Sequence, residues 1–249
     1  VPTSRRLRAI AVSALLLCLG GSLEAAAAER QAIGHSVRNR PIALFKSGSP
    51  DAALKVLVVG DIHGDETAGM RIARRLIAAP PPAGTELLVV PTINPDGVAA
   101  GSRGNAHGVD LNRNFPFRWR PLGGGEYSGT GPLSEPETRA AHRLIIRAKP
   151  DVTIWFHQPF GLVDKPEGNP LAARRFADLV GLPLLRLRGP YPGSASRWQN
   201  HRFPSSTAFV VELPQQVASS LIKQGTAAVL NLATELASPE LAPLQRVAR

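Results

Sequence analysis

The stretch Leu54-Lys55-Val56-Leu57-Val58-Val59-Gly60-Asp61-Ile62-His63-Gly64-Asp65-Glu66 sets the frame for the rest of the chain. Residues 54–60 form a short apolar run bounded by turn residues, which reads as a buried strand. The segment 66–79 then reads as a helix. Met70, Ala73, Leu76 and Ile77 fall on one face, and Pro80 to Pro82 stop it. Residues 86–93, 152–156 and 208–213 repeat the strand character, with 41–46 and 182–187 as weaker versions. Ser134-Glu135-Pro136-Glu137 reads as a capping box with proline in the first turn, opening a helix that runs to about Lys149. Val217, Leu221, Val229, Leu232 and Leu236 recur at helical spacing near the end.

Strands alternating with helices of this length predict an α/β domain: a mainly parallel sheet covered on both faces. Such sheets bind ligands outside the carboxyl ends of their strands. His63, Asn94, His157 and Glu212 all stand at or just after predicted strand ends. That coincidence organises the functional reading.

With 249 residues, 43% hydrophobic and 19% charged, the chain can bury a sizeable core and is not a disordered polymer. Residues 1–28 differ from the rest. Arg5, Arg6 and Arg8 precede an apolar run over residues 9–20, and alanines 25–28 follow, which is the pattern of a secretory signal peptide. The run is shorter than the roughly 20 residues a spanning helix needs. Export to the periplasm or the outside is therefore expected, with no stable membrane span after cleavage. The alternative is an uncleaved N-terminal tether. Residues 29–237 form the expected catalytic domain. Residues 238–249, with Pro239 and Pro243, form a C-terminal tail.

Cys18 is the only cysteine and lies inside the apolar run; Leu15, Leu16 and Leu17 precede it where a lipid-attachment site wants small residues. A metal in the mature domain must therefore use His, Asp or Glu. The formal charge of +10 falls to +8 without the first 28 residues. It suits either an ordinary basic protein or attraction to an anionic wall polymer or acidic peptide. Aromatic content of 5%, with no basic–aromatic interleaving, speaks against nucleic-acid binding.

His63 and Glu66, three apart where a strand gives way to a helix, can share one metal ion, although most such pairs are surface residues. His157, after the apolar run 152–156, supplies the third ligand. Two imidazoles and one carboxylate leave a fourth position open, as in catalytic zinc sites. Glu212 is acidic inside the run Phe209-Val210-Val211-Glu212-Leu213. Burial there needs a salt-bridge partner or a task, and general base is such a task. Asn94-Pro95-Asp96-Gly97 and the Asn- and Arg-rich stretch from Arg103 to Phe115 are either polar loops or a fork for a carboxylate.

Taken in order, His63-x-x-Glu66, Asn94-Pro95-Asp96-Gly97, Gly108-Val109-Asp110-Leu111-Asn112-Arg113-Asn114-Phe115, Ser134-Glu135-Pro136-Glu137-Thr138, His157 and Glu212 resemble the zinc metallocarboxypeptidase family. The likeness runs from about Ile33 to Leu213. It includes an opening strand–turn segment from Ile33 to Ile42. It implies a three-layer α/β/α sandwich with a mixed, mainly parallel sheet. It also implies one Zn2+ ion on His63, Glu66 and His157, with Glu212 as base and Arg103 polarising the scissile carbonyl. Asn112 and Arg113 would grip the substrate's terminal carboxylate.

The small size, the stretch His157-Gln158-Pro159-Phe160-Gly161-Leu162-Val163-Asp164, Tyr191-Pro192-Gly193-Ser194 and Trp198 are most similar to the murein peptide amidases. That branch cleaves the γ-D-glutamyl–diaminopimelate bond of cell-wall peptides. Tyr191, 21 positions before Glu212, matches the family's mobile tyrosine or is a loop-packing residue. Arg197, 15 positions before Glu212, matches its side-chain specificity position or is a surface arginine. Asp61 and Asp65 stand near the ligands without an assigned role, and His35, His107, His142 and His201 read as surface or loop residues. Rival functions are a general exported carboxypeptidase for L-peptides, an acyl-amino-acid deacylase of a related zinc branch, and a non-catalytic wall-binding module.

Overall fold

A computed structural model of the protein describes residues 28–238. The expected signal peptide and C-terminal tail lie outside these residues, apart from Ala28 and Ser238. The strands are β1 (Glu29–His35), β2 (Pro41–Ser47), β3 (Leu54–Val59), β4 (Thr85–Val90), β5 (Val152–His157), β6 (Phe160–Asp164), β7 (Leu184–Leu185) and β8 (Thr207–Pro214). The helices are α1 (Ala68–Ile77), α2 (Pro95–Ala100), α3 (Pro136–Ala148), α4 (Leu171–Val180), α5 (Ala195–Arg202) and α6 (Ser219–Ala237). No helix among the described residues is long and apolar enough to cross a membrane.

All eight strands share one sheet in the order β1-β2-β4-β3-β5-β8-β6-β7. Its centre, β4-β3-β5-β8, is parallel, whereas β1, β2 and β6 add antiparallel pairings. The expected mixed, mainly parallel sheet is therefore present. Every residue of β4 and β5 is buried, because helices cover both faces and leave neither side to water. On one face, Ile72, Leu76, Phe156, Phe176, Phe209, Val211, Val229 and Leu232 join the sheet to α1, α4 and α6. On the other, Leu57, Val59, Phe115, Ile145, Trp155 and Trp198 join it to α3 and α5.

Two local expectations are corrected. The Ser134–Glu137 capping box does not form: Glu135, not Ser134, precedes the first helical residue, and both box side chains bond elsewhere. Ser134 Oγ donates to the Glu135 carboxylate at 2.7 Å. Glu137 accepts from the Val37 backbone at 3.0 Å and from Asn105 at 3.1 Å, tying the β1–β2 turn to α3. Pro136 does hold the first helical position, and Lys149 ends the helix in a left-handed conformation before Pro150. The stretch 182–187 yields only the two-residue β7 at the sheet edge.

Candidate functional site

The site lies at the carboxyl ends of β3, β5 and β8. His157 is the last residue of β5 and pairs in parallel register with Glu212 on β8. Side chains alternate along a strand, and partners in register share a face. His157 and Glu212 therefore continue the side already occupied by Trp155 and Val210, toward α3 and α5.

His63 and Glu66 come from the turn after β3. Helix α1 begins only at Ala68, so a turn, not a helical face, brings the two together: Glu66 N–H donates to His63 O at 2.7 Å. Gly64 allows the turn to lie against α2, because a side-chain carbon there would fall 2.0 Å from the Gly97 carbonyl carbon. Asn94 locks this corner. Its Oδ1 caps Gly97 at 2.9 Å, and its amide nitrogen donates to Ile62 O and Arg103 O, both at 3.2 Å. Its place at a strand end thus serves to hold the neighbours of the site in position.

Nδ1 of His63 and Nδ1 of His157 lie 3.2 Å apart. The two Glu66 carboxylate oxygens reach them at 3.0 and 2.9 Å. One donor atom from each of the three residues falls within 4.8 Å of the others, and all three side chains are buried. Four-coordinate metals with nitrogen bonds of about 2.0–2.1 Å place ligand atoms roughly 3.3 Å apart, so the donor set fits one ion. The chemistry of two imidazoles and a carboxylate fits a divalent transition metal.

Electrostatics support the same centre. Burial pulls the His63 imidazole down, but the Asp110 and Glu66 carboxylates outweigh it and raise the pKa to about 9. Burial lowers His157, reinforced by the positive His63 and Arg103 and opposed by Glu66. Burial would raise Glu66, yet the two imidazoles hold it well below the usual carboxylate range. Glu212 is pushed up to about 7 by burial and by the charge of Glu66. Its Oε2 and the Nε2 of His157 are buried without a hydrogen-bond partner. A buried carboxylate of near-neutral pKa, with one oxygen free and the other side held by the Phe160 backbone, can exchange protons with a water or a leaving group.

Arg103 also comes to this centre. Its Nη1 donates to Glu66 at 3.0 Å, and its Nε and Nη2 meet Asp110 at 3.0 and 2.9 Å. Asp110 is a residue whose role was not read from sequence. Its Oδ1 accepts from His63 Nε2 at 3.0 Å, which holds a proton on Nε2 and would direct Nδ1 toward a metal once the imidazole gives up its second proton. Although burial would raise it, His63 and Arg103 hold Asp110 below the ordinary range. The signal was its place two residues before Asn112. Gln158 was missed too: its backbone N–H meets Glu66 at 3.2 Å, and its side chain links Ala68 to Pro214 and Gln215.

Asn112 and Arg113 lie on a single turn of 3-10 helix, residues Leu111–Arg113, opened by the Asp110 side chain. Asn112 Oδ1 fixes the start of α5 at Ala195, which leaves its two N–H donors for another acceptor. Arg113 is buried and pairs with Glu126 at 2.5 Å. Tyr191 stands between two guanidinium groups, with the Arg113 carbon 5.4 Å and the Arg197 carbon 4.9 Å from its ring centre. The Tyr191 hydroxyl donates to Arg188 O, not to any residue of the ligand set. Arg197 is braced on the same loop, donating to Gly189 O and Pro190 O at 3.1 and 2.7 Å. Gly193, at φ +69°, lets this loop approach the Arg113 carbonyl, where a side-chain carbon would sit 2.1 Å away.

Asp61 bonds Thr92 away from the ligands and is raised well above the usual range by burial. Asp65 is exposed, as is His35. His107 pairs with Glu135, while His142 and His201 stack on Trp198 and Phe117, away from the ligand set.

Comparison with known proteins places this arrangement. The succinylglutamate desuccinylase/aspartoacylase catalytic domain matches residues 52–151, which covers the His63–Glu66 turn but neither His157 nor Glu212. Murein peptide amidase A of Escherichia coli K12 is 32% identical over 180 residues, 66% of this chain and 74% of that protein. The solved murein-tripeptide amidase MpaA of Escherichia coli O157 superposes with a TM-score of 0.70 at 27% identity, over 82% of this chain and 91% of that one. Carboxypeptidase A of Helicoverpa armigera shares the fold, with a TM-score of 0.73 at 17% identity over 85% of this chain and 68% of that one. The chain is a hydrolase of the metallocarboxypeptidase family and belongs to its murein peptide amidase branch.

Proposed function

We propose that the chain uses one zinc ion to hydrolyse the γ-D-glutamyl–meso-diaminopimelate bond of murein peptides, acting after export directed by residues 1–28. The observation that carries the reading is the convergence of His63, Glu66 and His157 beside Glu212, with the Asn112–Arg113 fork on the neighbouring loop. The murein peptide amidase relatives support the choice of bond. The +8 charge left without the first 28 residues suits a substrate bearing several carboxylates.

His63, Glu66 and His157 would hold the zinc ion, which when bound supplies Lewis acidity toward the amide carbonyl. Glu212 removes a proton from the attacking water and returns it to the leaving amine nitrogen, so no covalent bond to the enzyme forms. Arg103, raised by its two carboxylate neighbours and charged throughout, stabilises negative charge growing on the carbonyl oxygen. Asn112 and Arg113 orient the peptide by its terminal carboxylate through paired N–H donors. Asp110 keeps His63 in the tautomer that offers Nδ1.

The test is incubation of purified protein, with one zinc equivalent, with L-Ala-γ-D-Glu-meso-diaminopimelate, followed by mass spectrometry. Chelator-sensitive release of diaminopimelate is expected. Trimming of ordinary L-peptides without that release would move the chain to the general carboxypeptidases. Binding of wall fragments without any turnover would instead leave a wall-binding module.

A further inference from the structure

Arg113 is nearly inaccessible, with a side chain 6% exposed, and each edge of its guanidinium has a different fate. Nη1 donates to the Asn112 carbonyl at 3.1 Å, and Nε is buried with no partner. Nη2 is held at 2.5 Å by the Glu126 carboxylate, while the Tyr191 ring covers the group at 5.4 Å. Glu126 itself is 56% exposed. It ends a short 3-10 turn after Gly123-Gly124-Gly125. A side-chain carbon built on any of those three glycines would meet nothing within 4 Å, so packing does not pin that backbone. Directly after it, Tyr127 is anchored, its carbonyl accepting from Asp110 N–H at 2.8 Å.

We propose that Glu126 is a resident carboxylate that competes with the substrate's terminal carboxylate for the Arg113 guanidinium and so sets the affinity of that subsite. Glu126 has this role only if Arg113 is the clamp of the proposed function. Of the three guanidinium nitrogens, Nη1 is tied to backbone, Nε is buried without a partner and Nη2 is occupied by the Glu126 carboxylate. A carboxylate that grips the Nε–Nη2 edge with two parallel bonds must displace Glu126 into water. The cost is modest because Glu126 is already more than half solvated and the incoming carboxylate leaves the buried guanidinium paired. The arrangement disfavours neutral ends, which cannot displace Glu126, and prevents the buried cation from standing unpaired.

The experiment compares wild type with Glu126→Gln, which keeps the size and hydrogen-bonding ability of the side chain but removes its charge. For L-Ala-γ-D-Glu-meso-diaminopimelate, KM falls about 2–5-fold in the variant and kcat stays within about twofold, the scale of a weak ion pair. A readout independent of turnover is the backbone 15N–1H NMR shift of Asn112 and Asn114 during titration with acetate, which every variant retains. The acetate Kd falls by a similar factor in Glu126→Gln, and the gain disappears when Arg113→Lys is added. If acetate affinity is unchanged or weaker in Glu126→Gln, Glu126 is no competitor, whatever the enzyme hydrolyses. If wild type releases no diaminopimelate but acetate still binds more tightly to the variant, the competitor role stands and the choice of substrate falls.

Discussion

The strand pair that carries His157 and Glu212 and the segments around Arg113 are neighbours built on different plans. His157 and Glu212 stand on adjacent strands paired residue for residue, and both are buried. Arg113 and Glu126 come from single 3-10 turns, Tyr191 from a loop and Arg197 from the start of α5, and Glu126 is more than half exposed. In the first region the sheet fixes the distance between the two groups. In the second, side chains hold one another: Arg113 and Arg197 both lie against the Tyr191 ring, and Glu126 pairs with Arg113. Under the proposed function, the contrast places the base and one ligand on the sheet and the substrate-gripping groups on segments that can change without moving that pair.

The sharpest way to break that division is Glu212→Gln. It is expected to lower kcat by about 10²–10⁴-fold, the range of general acid–base catalysis, while zinc content by atomic emission stays at one equivalent. Wild-type kcat/KM also carries a pH signature. A base must be unprotonated, so the rate falls as pH drops through the Glu212 pKa. Burial and Glu66 push that value up to about 7, and a bound dication pulls it down. The acid limb is therefore expected at or below about pH 7 and absent from the residual activity of the variant. Full turnover in Glu212→Gln would remove it from the mechanism.

A smaller effect is expected from Asp110→Asn. The His63 Nε2–H bond weakens and the tautomer preference is lost. Zinc affinity or activity should fall about 10–100-fold. Competition against a fluorescent chelator measures this, and wild-type affinity would show that the scaffold alone orients His63. The smallest effect belongs to the loops. Arg197→Ala should alter the ratio of kcat/KM for acidic over neutral substrate side chains by a few-fold, with little change in kcat. An unchanged ratio would reduce Arg197 to a brace for the 189–191 backbone, to which it already donates two hydrogen bonds.

The same division explains what could be read from sequence. Apolar runs with turn boundaries located β3, β4, β5 and β8 within a few residues, because strands buried on both faces must be apolar throughout. The three candidate ligands, which the structure brings together, were read from residue chemistry at strand ends and in the turn after β3. The role of Asn94 was not legible, since capping a helix and tying down Arg103 depend on where α2 folds back. Asp110 stood inside a quoted motif, but its partner His63 is 47 positions away. Glu126 followed a glycine run with no periodicity, and nothing local links it to Arg113. The capping box failed for a related reason: Glu137 found Asn105 and Val37 across the fold, contacts that outweigh a bond within its own turn.

The pairing of His157 with Glu212 has a mechanical consequence. Their backbones are one interstrand step apart, about 4.8 Å, a length set by the hydrogen-bond ladder and insensitive to what surrounds it. Slipping β8 by one residue would carry Glu212 to the α1, α4 and α6 side and bring Val211 or Leu213 opposite His157. No intermediate spacing exists. The separation of His157 from Glu212 thus behaves like a gear with one tooth engaged: under the proposed function, exchanging loops 118–134 and 186–194 in engineering a new specificity leaves the gap between zinc ligand and base the same.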